Sequence, residues 1–171
     1  MYRLDQVCFE PGIAFTRGQI SSFFDLATLE GVAAEVGGRL AGFAVGYLAQ
    51  AGIGSILTLD VAPAHRRLGL GRSLLTELLR RLERAGADGI RLEVDVRNRA
   101  AIALYRSFGF RRTGRLADFY GPGLDAFAMV SNRSGSGADV ACELASPSRS
   151  EESRARRSPP RSRRTAPRSP R

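Results

Sequence analysis

A chain of 171 residues is long enough for one domain around a single hydrophobic core and too short for two. It has no apolar run of 18 residues and no charged-then-apolar N-terminal pattern, so the sequence predicts a cytoplasmic protein with no transmembrane segment, signal peptide or membrane partner. The formal net charge of +9 is uneven, because residues 133–171 hold ten arginines against four acidic residues, a net of +6.

Two short helices are predicted at the N-terminus. Apolar residues at helical spacing indicate the first over residues 2–9, which Pro11 and Gly12 end. The second is predicted over residues 18–29, with four residues turned inward: Ile20, Phe23, Phe24 and Ala27. Cys8 falls in the first helix and is predicted to be a small core residue. With two cysteines and one histidine, the chain is predicted to have neither a disulfide framework nor a metal site.

A β-hairpin is predicted next, with strands over residues 32–36 and 40–48. Gly37 and Gly38 join them, since adjacent glycines permit the positive φ angles of a tight turn. Gly52 and Gly54 are expected to separate this hairpin from a further strand over residues 56–61. That strand is apolar and β-branched, and Pro63 stops it.

The segment after that strand carries the strongest signal in the sequence. Leucines at helical spacing predict a long amphipathic helix from Leu70 to residue 84, preceded by the turn Arg66-Arg67-Leu68-Gly69-Leu70-Gly71. The first N–H groups of a helix lack helical partners and lie at the positive end of the helix dipole, so they can bind an anion such as a pyrophosphate. Gly69 and Gly71 have no Cβ and are expected to let a ligand approach the backbone. A glycine-rich turn with solvated arginines is the alternative.

Two better-known phosphate loops are excluded at this turn. A Walker loop needs a lysine before its Ser or Thr, and the chain contains no lysine. A Rossmann fingerprint needs a third glycine, and Leu74 occupies that position.

A second strand–helix unit is predicted further along. Residues 89–96 alternate apolar and charged, which indicates a strand with one buried face. Asn98 is the expected N-cap of a helix with Ala101, Leu104, Tyr105 and Phe108 on one side, and Gly109 ends it. With strands over residues 110–117 and 126–130, the pattern predicts an α+β fold, a mixed sheet layered between helices.

The motif Arg-x-x-Gly-x-Gly between a strand and a long helix resembles the acetyl-CoA loop of the GCN5-related N-acetyltransferase (GNAT) superfamily. Three later segments resemble its bacterial ribosomal-protein N-terminal alanine acetyltransferases (RimI-like) and their archaeal relatives: Leu92-Glu93-Val94, the run from Asn98 to Phe110, and Phe119-Tyr120 with Asp125-Ala126 and Met129. The resemblance covers roughly residues 1–131, which are expected to form the GNAT domain.

The resemblance implies acetyl-CoA as cosubstrate and no metal. The pyrophosphate would bind the loop from Arg66 through Arg67, Leu68, Gly69, Leu70 and Gly71 to Arg72, with Ser73 as an extra donor. The backbone of Leu59, Asp60 and Val61 would pair with the pantetheine arm like a neighbouring strand. A main-chain N–H there, that of Val61, would polarise the thioester oxygen. Asn98 would contact the coenzyme further along.

Two residues are expected to carry the acid–base chemistry of direct attack by an amine. Glu93 is the expected general base, since it faces away from the apolar residues of its strand; a solvated carboxylate paired with an arginine is its alternative. Tyr105 is expected to protonate the leaving thiolate, and core packing is its alternative role. Tyr120 is expected to bind the acceptor backbone. Phe119 stands where the family has another tyrosine, which leaves the identity of the acceptor open.

The predicted function is N-acetylation of a protein or peptide N-terminus, with a ribosomal protein among the candidate acceptors. At pH 7, freeing an α-amine with a pKa near 8 costs roughly 1 kcal/mol, whereas a lysine near 10.4 costs about 4.6 kcal/mol. A single carboxylate therefore serves an α-amine more easily. The alternatives are acetylation of a small amine (a polyamine, amino acid or antibiotic) and an inactive protein that binds CoA or acts through its basic tail.

Two further expectations concern the chain ends. The family normally opens with a β-strand, yet Met1 already stands in the first helix pattern, so a truncated or misassigned start is expected to remove that edge strand. Residues 132–171 are rich in Arg, Ser and Pro with almost no large apolar residues, and are expected to be disordered. Such a tail could contact a polyanion weakly and without specificity, remain a solvated appendage, or represent out-of-frame translation of GC-rich DNA.

Overall fold

The computed structural model describes residues 1–132, and the predicted tail from residue 133 onward lies outside the described residues. In chain order the elements are α1 (Tyr2–Cys8), α2 (Arg17–Phe23), β1 (Leu29–Val36), β2 (Arg39–Leu48), β3 (Ile53–Val61), α3 (Leu70–Arg84), β4 (Gly89–Asp95), α4 (Arg99–Ser107), β5 (Arg111–Gly121) and β6 (Leu124–Asn132). Short 3₁₀ turns at Gln50–Gly52 and Pro63–His65 flank β3.

The six strands form one mixed sheet in the order β1-β2-β3-β4-β6-β5. Strands β3 and β4 are parallel and are joined by the crossover through α3, whereas the other neighbouring pairs are antiparallel. This is the α+β layered mixed sheet that the sequence pattern predicts. No strand precedes α1 within residues 1–132, so β1 forms one edge of the sheet. A truncated start remains a prediction, as does the domain boundary at residue 131.

Apolar side chains cover both faces of the sheet. Helices α3 and α4 cover one face, where the leucines of α3 are the buried centre: Leu74, Leu75, Leu78 and Leu82. Helices α1 and α2 cover the other face, where Phe15, Ile20 and Phe23 pack on Phe43 and Val45 of β2. Successive residues of β2 point to opposite faces of the sheet, so Ala44, between Phe43 and Val45, packs with the α3 leucines instead. The central strands β3 and β4 therefore lie between two helical layers.

Helix α2 is shorter than predicted. Thr16 begins it with a capping box, and it ends at Phe23. The ladder with β2 already starts at Leu29, so residues 24–28 turn the chain into β1 instead of continuing the helix. The predicted inward orientation is confirmed for Ile20 and Phe23 and wrong for Phe24 and Ala27, which are exposed.

Several strand boundaries also differ from those predicted. Strand β3 begins at Ile53, and Gly54 lies inside it: a Cβ there would come within 3.2 Å of Ile90, so glycine permits close packing and does not mark a turn. Strands β5 and β6 extend past their predicted limits because they pair up to the turn between Gly121 and Leu124. Helix α1 and strand β4 each end one residue early.

A β-bulge in β3 decides which of its side chains face which helical layer. The ladder with β2 pairs Ile56 and Thr58 with consecutive residues, so Leu57 is the extra residue. Beyond the bulge, Leu59 packs with the α3 cluster. Thr58 and Asp60 lie opposite Val45 and Phe43 and therefore face α1 and α2.

Strands β3 and β4 part halfway along their length. They pair only from Ile53 with Gly89 to Ile56 with Leu92, although β3 continues to Val61 and β4 to Asp95. The parted halves leave a gap in the middle of the sheet.

Candidate active site

A cleft of about 360 Å³ occupies the gap between β3 and β4. Residues 56–59 line one wall and residues 92–95 the other, while the loop between α1 and α2 and the start of α4 complete it. Several residues predicted from the sequence line this cleft together: Leu59, Arg66, Glu93, Asn98, Tyr105 and Tyr120. The fold therefore brings both expected catalytic residues to one cavity.

The predicted anion-binding turn forms the N-terminus of α3. Gly69 is the N-cap residue with φ of +82°, in the left-handed region that favours glycine, and Arg67 has φ of +67°. The first backbone bond of the helix runs from Ser73 N–H to Gly69 C=O at 3.1 Å. The N–H groups of residues 70–72 precede that bond and, as in any helix, lack helical partners. A 15-residue helix thus directs its positive dipole end to this turn.

Gly71 has a different surrounding from the one predicted. It lies inside the first turn of α3, where a Cβ would meet three apolar side chains at 3.6–3.7 Å: Leu59, Val61 and Leu104. The small residue therefore fits the helix against β3 and α4, and its missing side chain faces protein. At Gly69 a Cβ would meet nothing within 4 Å, and the positive φ is the reason for glycine there.

Two of the arginines near the turn already bind protein atoms. Arg66 donates from Nε to the carbonyl oxygen of Val61 at 3.0 Å and from a terminal nitrogen to that of Cys8 at 3.5 Å, so it ties β3 to α1. Arg72 donates to Ser107 Oγ at 3.0 Å and so ties α3 to α4. Arg67 and Leu68 lie on the exposed side of the turn.

The free edge of β3 faces the cleft. The carbonyl oxygen of Val61 accepts from Arg66 and also from the thiol of Cys8 at 3.4 Å, on the side away from β2. Because N–H and C=O of one strand residue point to the same edge, the N–H of Val61 and the backbone groups of Leu59 point there too. Asp60 lies between these two residues, so its backbone N–H and C=O point the other way, toward β2.

Glu93 lies half-buried in β4, on the sheet face turned to α1 and α2. Its neighbours Leu92 and Val94 belong to the cluster on the opposite face, as the alternation predicts. The hydroxyl of Tyr120 donates to the main-chain carbonyl of Glu93 at 3.2 Å, so β5 reaches across to fix this part of β4. A role of Tyr120 in binding the acceptor remains a prediction.

Tyr105 combines the two roles that the sequence left open. Its ring packs edge-on against Phe110, with centroids 5.7 Å apart, and it is 7% exposed. It nevertheless lines the cleft. Burial and, secondarily, the charge of Asp60 raise the pKa of Tyr105 well above its ordinary value. The phenol therefore stays protonated at neutral pH and keeps a proton to donate.

An ion-pair chain at the far end of the cleft was missed from the sequence. Arg97 donates to both carboxylate oxygens of Asp95, at 2.7–3.1 Å, and to Glu10 of the α1–α2 loop at 3.1 Å. The hydrogen bonds and the charge of Arg97 lower the pKa of Asp95. Beside them, Asn98 caps α4 as predicted, accepting from Ala101 N–H at 3.1 Å. The spacing Asp-x-Arg after a strand was the available signal for the pair.

The α1–α2 wall depends on a buried acid that was also missed. Asp5 accepts from the N–H of Phe15 at 2.8 Å and from the side chain of Gln6 at 3.0 Å, and its burial raises its pKa. An acid among the apolar positions of a helix was the available signal. Cys8, predicted as core, is instead partly exposed and lines the cleft. Burial and the charge of Asp60 raise the pKa of this thiol, so it stays protonated at neutral pH.

Within residues 1–132 the structure contains no candidate membrane-spanning helix.

Comparison with known proteins gives consistent matches. Residues 1–110 match the family described as the acetyltransferase (GNAT) family. Over 102 residues the chain is 41% identical to the N-alpha-acetyltransferase RimI of Mycobacterium tuberculosis, covering 55% of this chain and 63% of that protein. The chain spans less than two thirds of the length of the curated relatives it matches.

Solved structures agree with these matches. The fold is similar to the crystal structure of the ribosomal-protein-S18-alanine N-acetyltransferase from Escherichia coli, with a TM-score of 0.68 and 27% identity over 80% of this chain and 89% of that chain. It is also similar to yncA from Salmonella typhimurium, solved with its cofactor acetyl-CoA. That match has a TM-score of 0.56 and 25% identity over 64% of this chain and 68% of that chain.

Proposed function

Because the chain belongs to the acetyltransferase (GNAT) family, we propose that it is an acetyl-CoA-dependent N-acetyltransferase whose acceptor is the N-terminal α-amine of a protein. One observation carries the proposal: the cleft between the parted strands β3 and β4. An anion-binding helix N-terminus adjoins the end of β3, while a carboxylate and a phenol, Glu93 and Tyr105, line the cleft itself.

The residues around the cleft fit acetyl-CoA at two places. The N–H groups of residues 70–72 and the nearby arginines suit a pyrophosphate. The edge of β3 away from β2 suits the amides of a pantetheine arm through the backbone of Leu59 and the N–H of Val61, whose carbonyl oxygen already accepts from Arg66 and Cys8. When bound, acetyl-CoA supplies a thioester whose carbonyl carbon an amine can attack. The acceptor would enter from the side of the α1–α2 loop, which lines the same cleft.

Three groups of the chain would then act on the reacting atoms, as a base, as a hydrogen-bond donor and as an acid. Glu93 would take a proton from the acceptor nitrogen as general base. The N–H of Val61 would donate to the carbonyl oxygen, where negative charge develops during attack. Tyr105 would give its proton to the leaving thiolate, and its raised pKa keeps that proton in place until then.

Two considerations support an α-amine as acceptor. A lysine needs about 3.6 kcal/mol more than an α-amine to become neutral at pH 7, which is a heavy demand on one half-buried carboxylate. The Mycobacterium tuberculosis relative is named an N-alpha-acetyltransferase, and the Escherichia coli neighbour a ribosomal-protein-alanine N-acetyltransferase. A ribosomal protein that begins with alanine is therefore our candidate partner.

A panel of acceptors tests this proposal. At pH 7, peptides with a free Ala or Ser N-terminus should be acetylated about a hundredfold faster, in kcat/KM, than the same peptides blocked at the N-terminus and carrying an internal lysine, because a far larger share of α-amines is neutral. CoA release gives the rates, and mass spectrometry locates the acetyl group. A preference for spermidine over every peptide would contradict the proposed acceptor.

A substitution at Gly69 tests the anion site. Gly69→Ala should raise the KM for acetyl-CoA about fivefold to tenfold with little change in kcat, because a side chain at φ of +82° costs about 1–2 kcal/mol and shifts the start of α3. Gly31→Ala is the matched control, since Gly31 lies outside the left-handed region and a Cβ there meets nothing within 4 Å. An unchanged KM in Gly69→Ala would argue against the predicted loop.

A further inference from the structure

Asp60 is a buried acid that the mechanism above does not use. It is 1% exposed and lies on the same sheet face as Glu93, turned there by the bulge at Leu57. Its Oδ1 accepts a hydrogen bond from the hydroxyl of Thr58 at 2.5 Å. Its Oδ2 has no hydrogen-bond partner among the residues that the structure describes. A buried carboxylate with an unpaired oxygen is costly, and this one therefore calls for a function.

Thr58 connects this buried acid to the cleft. Thr58 lines the cleft wall, while Asp60 lies behind it. A threonine hydroxyl both donates and accepts, so it can receive a proton from a group in the cleft while it passes its own to Asp60. The pair is thus arranged as a path for one proton from the cleft into the α1–α2 layer.

Charged and titratable groups on several neighbouring segments interact electrostatically with Asp60. They are Asp5 and Cys8 of α1, the chain N-terminus at Met1, Arg66 of the turn after β3, and Tyr105 of α4. Across the ladder, β2 contributes the apolar Phe43. Arg66 uses its guanidinium on main-chain carbonyl oxygens, so it influences Asp60 only from a distance. The carboxyl therefore has no ion-pair partner in the described chain.

Resting on the proposed function, we infer that Thr58 and Asp60 form a proton relay that takes one of the two protons lost by the acceptor nitrogen. An amine that enters as –NH3⁺ and leaves as an amide –NH– breaks two N–H bonds. In the relay, one N–H bond breaks as Thr58 Oγ1 gains that proton, and the former Thr58 proton forms an O–H bond with Asp60 Oδ1. Glu93 takes the second proton. Thr58 contacts the acceptor, whereas Asp60 is a positioning residue that acts through it.

The ionisation of Asp60 suits this relay. Burial raises the pKa of Asp60 to about 7, against the lowering effect of the Thr58 hydrogen bond. An α-amine has a pKa of about 7.7–8.0 and a lysine about 10.4, so the carboxyl is matched to an N-terminus and poorly matched to a lysine. The relay would therefore contribute to selection of α-amines.

The pH dependence of kcat tests the relay, with an Ala-initiated peptide as acceptor. The wild type should lose activity below an ionisation near pH 7. Asp60→Asn and Thr58→Val should each lower kcat about 10- to 100-fold and lose that ionisation, with the KM for acetyl-CoA unchanged. The double variant should be no slower than either single variant, and Thr58→Ser should recover most of the loss. Asp88→Asn and Thr113→Val, both exposed, are the matched controls.

Two results would overturn the relay: an Asp60→Asn enzyme with the wild-type kcat and pH profile, or effects of the two substitutions that multiply in the double variant. If the proposed function is wrong, peptides should be inert while a small amine is acetylated. The pH profiles of kcat for the wild type and the variants would then be measured with that amine, and they would decide the relay.

Infrared spectra give a readout without turnover. The band of a protonated buried carboxyl should vanish between about pH 6 and pH 8 in the wild type and be missing in Asp60→Asn. A band unchanged across this interval would also overturn the relay.

Discussion

Replacing Glu93 with Gln should lower kcat at pH 7 about 10²- to 10³-fold with a peptide N-terminus as acceptor, because an amide cannot take the proton from the amine. The structure of β4 should survive, since Tyr120 bonds to the main-chain carbonyl of residue 93, which the substitution leaves in place. The KM for acetyl-CoA should change little, because none of the groups expected to bind it lies on β4: they belong to β3, to the start of α3 with the turn before it, and to Asn98. Initial rates of CoA release at saturating acetyl-CoA provide the measurement.

The pH dependence of this variant gives a second check. The deficit of Glu93→Gln should shrink as the pH rises past about 8, because a growing share of α-amines is neutral without help from a base. Glu35→Gln, an exposed carboxylate on the edge strand β1, is the matched control and should retain the wild-type rate. A Glu93→Gln enzyme with wild-type kcat at pH 7 would remove Glu93 from the mechanism and leave the fold assignment untouched.

Local sequence signals were sufficient for the elements that hold the anion-binding turn. The amphipathic period of α3, the cap at Asn98 and the positive φ of Gly109 all follow from nearest neighbours in the chain, and the structure confirms them. The same holds for the alternation of β4, which orients Glu93. These features are fixed by spacing within one element, and a single sequence contains that information.

The face exchange in β3 could not be predicted in the same way. Residues 56–61 start with two consecutive apolar residues and then alternate apolar and polar, a pattern that indicates a buried strand but does not show that its faces exchange at Leu57. The bulge at Leu57 depends on the register with β2, a strand from a different part of the chain. From the sequence, the backbone of Asp60 is expected to contact the cofactor, whereas the burial of its side chain and its bond to Thr58 were not predicted.

The parting of β3 and β4 has no sequence signal either. Strand β3 continues past its bulge to Val61 and β4 continues past Leu92 to Asp95, although the two strands no longer pair with each other there. Long-range ties such as Arg97 to Glu10 and Phe15 to Asp5 likewise join segments that local patterns treat separately. Motifs could thus predict several residues that line the cleft, whereas the cavity that unites them required the tertiary structure.

The burial of Asp60 should make stability depend on pH in a defined direction. Burial is the largest influence and raises its pKa to about 7, while an unfolded chain holds an aspartate near 3.9. Between these values the folded protein keeps a proton that the unfolded chain releases, so the free energy of unfolding falls as the pH rises through this window. The contribution is fully present below about pH 4 and is lost above about pH 7, a change of about 4 kcal/mol for the full difference in pKa.

Asp60→Asn removes this ionisation and should therefore be more stable than the wild type at pH 8. The amide oxygen can keep the hydrogen bond from Thr58, but the NH2 group takes the place of Oδ2 and stays unpaired, which costs about 1–3 kcal/mol. Set against the gain of about 4 kcal/mol from removing the ionisation, the expected net increase in the free energy of unfolding is about 1–3 kcal/mol. Near pH 4 the gain should vanish or reverse, because the wild-type carboxyl is then neutral as well. Urea unfolding at the two pH values measures the difference, with Asp88→Asn as the exposed control. An equal difference at both pH values would mean that folding does not raise the pKa of Asp60 above its value in the unfolded chain. A pH-dependent gain, together with the loss of kcat expected for the relay, would show that the chain retains a destabilising acid for its chemistry.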